Sequence, residues 1–138
     1  ISTKQPQIRR GKELGLYTVH RFFVIDSAAY ENVEKCTKAI RPDCVELMPG
    51  VMPKVIRQMA ETLSVPVIAG GLISDKEDII AALDAGAASI STTKEELWFL
   101  CFTEEKNVIK LRKRITEVAQ TCMIVLLSEP VRQAYLQH

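Results

Sequence analysis

The chain has 138 residues, 47% hydrophobic and 25% charged, with a formal net charge of +1. Those are the proportions of one globular domain. They exclude intrinsic disorder and a fold-wide electrostatic footprint, so any nucleic-acid site has to be a local patch. The longest apolar run lies within residues 122–127, far short of the ~20 residues of a membrane-spanning helix, and no signal-peptide pattern opens the chain; a cytoplasmic protein is expected. Cys36, Cys44, Cys101 and Cys122 stand far apart without C-x-x-C spacing, which suits reduced thiols and predicts neither a disulfide scaffold nor a metal site. Position 1 is Ile, at what reads as a strand end, so the chain is expected to be a piece of something longer.

The elements follow in alternation. Residues 17–25 are rich in aromatic and β-branched side chains and predict a strand. Ser27 is placed to cap a helix with Tyr30, Val33, Thr37 and Ile40 on one face, stopped by Pro42 and Asp43. Residues 44–48 predict a second strand, from which Pro49 and Gly50 turn the chain. Pro53 suits the first turn of a helix whose Met52, Ile56, Met59 and Leu63 recur at helical spacing. Residues 65–69 are apolar apart from a proline, as expected of a strand covered on both faces of a parallel sheet. Ser74 with Glu77 reads as the capping box of a helix carrying Ile79, Ile80 and Leu83, ended by Gly86. Residues 87–91 predict a fourth strand, and Thr93 with Glu96 a second capping box.

Strands beginning near 17, 44, 65 and 87 leave room for one strand and one helix per unit, joined right-handedly. The class is α/β with parallel (β/α) units. A G-x-G-x-x-G turn, usual in an open doubly wound sheet, is missing. Eight such units take ~250 residues in a full barrel, so four read as the C-terminal half of a TIM-barrel-like fold. Ile1-Ser2-Thr3-Lys4 is faintly echoed by Ile90-Ser91-Thr92-Thr93-Lys94, as in two half-barrels related by duplication. The expected organisation is a partial (β/α)-barrel domain over residues 1–98 and a largely helical C-terminal extension over 99–138. In that extension, residues 106–122 put Val108, Leu111, Ile115 and Val118 on one helical face. An uncovered parallel edge would invite association, hence a homo-oligomer, unless the extension covers it.

In such barrels function gathers on the loops after the strands. Here those loops present Asp26-Ser27, then Glu46 with Pro49-Gly50, then Gly70-Gly71, then Ser91-Thr92-Thr93. Glycines permit close backbone approach to a phosphate, and the hydroxyls can complete its hydrogen bonds. Gly70-Gly71 also reads as a bare strand-to-helix turn, and Thr93 as a cap. Glu46, between Val45 and Leu47, is an acid on a strand; it needs either a ligand donor or a pair with Arg21. Of His20 and Arg21 only one faces inward, and Asp26 reads equally as cap or ligand group. Lys4, Arg9, Arg10 and Lys12 form one basic cluster, and Lys110, Arg112, Lys113 and Arg114 another; each also reads as a solvated helix face.

The run from Val45-Glu46-Leu47-Met48-Pro49-Gly50 through Met52-Pro53, then Pro66-Val67-Ile68-Ala69-Gly70-Gly71, resembles the glycerol uptake operon antiterminator family. The flanks His20-Arg21-Phe22-Phe23, Ala87-Ala88-Ser89-Ile90-Ser91-Thr92-Thr93 and Glu96-Leu97-Trp98 agree, in register over residues 1–98. The resemblance implies a barrel-like regulator, not an enzyme, that binds glycerol 3-phosphate as effector, without a cofactor, and then the leader mRNA of a glycerol operon. It implies Gly70, Gly71, Ser91 and Thr92 for the phosphate, Arg21 and Glu46 for the glycerol end, and no catalytic or metal-ligating residue. Lys4, Arg9, Arg10 and Lys12 are the candidate RNA contacts. It also implies about half a barrel before Ile1 and an end soon after Trp98. The alternative is a barrel enzyme, isomerase or aldolase, on a small phosphorylated substrate; against it stand the lack of a strand lysine for a Schiff base and of an acid–base pair beyond Glu46 and Asp26. A fragment without activity is the third reading.

Overall fold

Short apolar runs become strands and the amphipathic segments between them become helices. The computed structural model describes residues 1–99 and 124–127. In order these form α1 (Gln5–Glu13), β1 (Val19–Phe23), α2 (Ser27–Ile40), β2 (Cys44–Met48), α3 (Pro53–Thr62), β3 (Val67–Gly70), α4 (Lys76–Asp84), β4 (Ser89–Thr92), a 3-10 turn (Glu95–Phe99) and β5 (Ile124–Leu127). The sheet runs β1-β2-β3-β4-β5. The first four strands are parallel and β5 joins β4 antiparallel. Parallel neighbours in sequence order, joined right-handedly, send every crossover to one face of the sheet. That is the winding of a (β/α) barrel; an open doubly wound sheet reverses direction.

The register sorts the two faces. Phe22, Leu47, Ala69 and Ile90 fall in one row across β1 to β4 and point into the helix-side core. There they meet Val33 of α2, Ile56 and Met59 of α3 and Ile79 of α4, all 0–1% exposed. Burial of each such side chain is worth about 1.5–3 kcal/mol. The opposite face carries a different row, Arg21, Glu46, Ile68 and Ser89. Ser2 extends the other edge by a parallel bridge to His20: its N–H donates to Val19 O (3.1 Å) and its carbonyl accepts from Arg21 (2.9 Å).

Two helix caps depart from expectation by one residue. Asp26, rather than Ser27, caps α2, accepting from the Ala29 N–H at 2.7 Å. Asp75, rather than Ser74, caps α4 and accepts from Asp78 N–H (2.8 Å), while the Asp78 carboxylate takes Ser74 N–H (2.9 Å). The expected Ser74–Glu77 box is replaced by a pair of aspartates, one accepting from inside the helix and the other from the residue before the cap, because a carboxylate is a stronger acceptor than the neighbouring hydroxyl. Beyond β4 the Thr92 hydroxyl, not that of Thr93, takes the Lys94 N–H at 3.2 Å. The Lys4 N–H meets the Ser2 hydroxyl in the same way at 3.0 Å. The sequence echo is therefore a repeated turn: strand end, hydroxyl acceptor, lysine.

Two elements were not anticipated. α1 buries only Ile8, so it has no apolar stripe to read; its signals are a proline in the first turn and Arg10 and Lys12 in the last. β5 lies inside the segment expected to be largely helical and pairs with β4 from Ser89↔Leu127 to Thr92↔Ile124, so that edge is covered by a strand. The helix expected over residues 106–122 and the basic cluster at 110–114 lie outside the described residues. Among the described residues no helix is long and apolar enough to cross a membrane.

Candidate functional site

Alternation along β1 and its pairing with β2 decide which side chains share a face. Arg21 lies opposite Glu46, and Arg21 Nε donates to Glu46 Oε2 at 2.7 Å. His20 lies opposite Val45 and points to the helix side, its ring 4.1 Å from that of Phe22. Arg21 is thus the inward residue of the two. Glu46 is 1% exposed, and its second oxygen, Oε1, is buried with no partner. The ion-pair reading of this acid holds through one oxygen, and the other oxygen has no partner among the described residues. A buried carboxylate oxygen without a hydrogen bond is costly, and a ligand hydroxyl or water would relieve that cost.

Glu46 and Arg21 open onto a cavity of about 570 Å³, with Met48 beside them, residues 71–74 forming a second wall and 91–94 a third. Gly71 has φ 75°, and a Cβ there would come within 2.7 Å of Met48 Cε, so this turn admits only glycine without strain. Its carbonyl accepts from Gly50 N–H at 3.0 Å, pinning the turn to the loop after β2, which leaves through a cis Met48–Pro49 peptide. Gly70 sits behind the wall instead. A Cβ there would lie 2.5 Å from Glu46 Oε1 and 3.3 Å from Ser91 Cβ, so the missing side chain is the space the carboxylate occupies. Thr92 Oγ1 donates to Ile73 O at 3.3 Å, tying the second and third walls together. Lys94 closes the mouth, its Nζ 2.7 Å from Ser74 O and 3.7 Å from Glu96.

Of the residues expected at the phosphate, Gly71, Ser91 and Thr92 line the cavity, and Arg21 and Glu46 line it as the expected glycerol end. Lys94, Ser74, Met48 and Leu72 were missed. The Lys4–Lys94 echo was the available signal for Lys94; Leu72, 76% exposed at φ 61°, had none. Chemically the cavity holds cations at Arg21 and Lys94, hydroxyls at Ser74, Ser91, Thr92 and Thr93, and one bare acceptor, Glu46 Oε1. That set fits a small ligand with an anionic end and a hydroxyl-bearing end.

The expected RNA contacts are not gathered in one patch. Lys4 is the N-cap residue of α1, and Lys12 lies eight residues on, about 12 Å along the helix axis. Arg10 pairs with Glu13 at 2.9 Å and Lys12 reaches Asp43 at 3.9 Å, whereas Arg9 is exposed. Partial burial works against the Asp43 charge, but two hydrogen bonds from Thr18 and the nearby Lys12 outweigh it and lower its pKa. The His20 pKa is lowered, because burial outweighs a hydrogen bond to the Thr3 backbone. Among the described residues no three His, Cys, Asp or Glu side chains are grouped to hold a metal.

Residues 1–98 match the family described as glycerol-3-phosphate responsive antiterminator. The chain is similar to the uncharacterized protein YgcP of Escherichia coli (strain K12), with 40% identity over 100 residues, 72% of this chain and 52% of YgcP. It also superposes on two crystal structures. The glycerol uptake operon antiterminator regulatory protein of Listeria monocytogenes str. 4b F2365 matches at TM-score 0.67 and 35% identity, over 70% of this chain and 52% of that one. A glycerol uptake operon antiterminator-related protein of Thermotoga maritima MSB8 matches at TM-score 0.59 and 32% identity, over 70% and 55%. The chain spans about half the length of each of these relatives.

Proposed function

Because the chain belongs to the family of glycerol-3-phosphate responsive antiterminators, we propose that it carries the effector site of a cytoplasmic, RNA-binding transcription antiterminator. Glycerol 3-phosphate is the effector, and the leader mRNA of a glycerol operon is the target through which glycerol uptake and metabolism genes are controlled. The observation that carries this reading is Glu46 Oε1, buried and unpartnered at the wall of a cavity whose far walls are hydroxyls and a lysine. A glycerol hydroxyl donates to Oε1, and the phosphate lies against Gly71, Ser91 and Thr92 within reach of Lys94. Ligand bridging of these three walls favours the conformation that binds RNA, to the extent that affinity differs between the two forms. Among the described residues an isomerase or aldolase reading finds no acid to partner Glu46 in Asp26, whose carboxylate caps α2.

Calorimetric titration with glycerol 3-phosphate tests the site, with glycerol and inorganic phosphate as controls. Saturable binding by the phosphoester alone is expected. Gly71→Val should abolish it, because the new side chain meets Met48 and forces a β-branched residue to φ 75°. The left-handed conformation itself costs about 1–2 kcal/mol, so circular dichroism confirms that the variant is folded. A folded wild-type chain that does not bind the ligand would sink the proposal for this chain.

A further inference from the structure

A second cavity, of about 220 Å³, lies between the start of α1, the end of β1 and α2, and the effector chemistry makes no use of it. Its lining includes Thr3, Gln5, His20, Phe23 and Asn32, and Arg21 is the residue it shares with the effector cavity. Phe23 is an aromatic ring 55% exposed at the end of a strand. Gln5 and Asn32 are held by one thiol: Gln5 Nε2 donates to Cys36 Sγ (2.8 Å), which donates to Asn32 Oδ1 (3.1 Å). That leaves the Gln5 carbonyl oxygen and the Asn32 amino group for a ligand. His20, 1% exposed, has Nδ1 buried without a partner, a bare acceptor in the neutral ring.

These groups select a ligand class. An anion would find one cation here, Arg21, already bonded to Glu46. A purely apolar ligand would leave two amides and an imidazole nitrogen unsatisfied. A planar, uncharged heterocycle with donors and acceptors on its edge answers all of them, since it stacks on the aromatic ring and pairs with the primary amides. We propose that this cavity takes one unpaired nucleobase of RNA, stacked on Phe23 and read by Gln5 and Asn32. The proposal rests on the antiterminator reading and deepens it. Lys4, exposed between Thr3 and Gln5, is placed for the adjoining phosphate. Arg21 contributes to the lining of both cavities, with its guanidinium on the Glu46 side of the sheet.

The test titrates the full chain with AMP, GMP, CMP and UMP, with ribose 5-phosphate as the base-free control, and with 12-residue homo-oligoribonucleotides. At least one nucleotide should bind where ribose 5-phosphate does not. Phe23→Ala and Asn32→Ala, both at exposed positions, should each weaken that binding on the order of tenfold, as expected when a base loses its stacking or edge partner. Glycerol 3-phosphate, titrated against the same variants, should bind with unchanged affinity. Nucleotides that bind no better than ribose 5-phosphate would overturn the base site. So would an oligoribonucleotide held as tightly by Phe23→Ala as by wild type, although RNA binding elsewhere would then stand. Loss of glycerol 3-phosphate binding by the wild-type chain would instead strike the effector reading, which separates the two failures.

Discussion

The Glu46 carboxylate is 1% exposed beside Arg21, and an Arg21→Ala variant takes away its 2.7 Å bond from Arg21 Nε while Oε1 already lacks a partner. Removing one member of a buried pair costs about 3–5 kcal/mol, because the remaining charge stays out of water. The Arg21 side chain is 28% exposed, so water can enter where it stood, and the lower end, about 3 kcal/mol, is expected. Against a total stability of about 5–15 kcal/mol for a domain, that is a large share. With a urea m value of about 1.5 kcal/mol/M, the unfolding midpoint should fall by about 2 M. Adding Glu46→Gln to the same background removes the stranded charge and should return about 1–2 kcal/mol, a coupling of the size expected for touching residues. Urea unfolding of wild type, both single variants and the double, followed by circular dichroism without ligand, reads all four corners. If the double variant is no more stable than Arg21→Ala alone, the buried ion pair is not an electrostatic unit and the account of Glu46 fails.

Asp26→Ala removes the acceptor that caps α2 and should cost about 1 kcal/mol, read as a lower melting temperature with no change in effector affinity. His20 has its pKa lowered by burial, so the unfolded chain takes up the proton first. Its contribution to stability is complete above about pH 6.5 and is lost as the pH falls through the folded value. Urea midpoints measured between pH 7.5 and 5 should therefore decline, and His20→Asn should flatten that slope; an equal slope in the variant would assign it to other groups.

Much of this was legible in the residues because it depends on local order. Residues 44–48 bounded β2 correctly, since Pro42-Asp43 before it and Pro49-Gly50 after it are strong breakers. Pro53 marked the start of α3 for the same reason. The position of α4 was legible and its cap was not: Ser74 and Asp75 are both good caps, and the choice between them depends on where the Asp78 carboxylate folds back. α1 was missed because Ile8 is its one buried side chain, and β5 because its pairing with β4 is not local in sequence.

The site divides along the same line. Strand alternation alone required Glu46 to oppose Val45 and Leu47, and the glycines and hydroxyls to follow β3 and β4. It could not say whether His20 or Arg21 stood beside Glu46, because period two leaves both phases open until a neighbouring strand sets the register. The parallel pairing of β1 with β2 sets it, and with it the ion pair, the orphaned Oε1 and the burial of His20 on the far side. Lys94 on Ser74, Gly70 making room for Glu46 and Arg21 joining two cavities are likewise contacts between residues tens of positions apart. Sequence determines what each segment tends to form; only packing decides which side chains then touch.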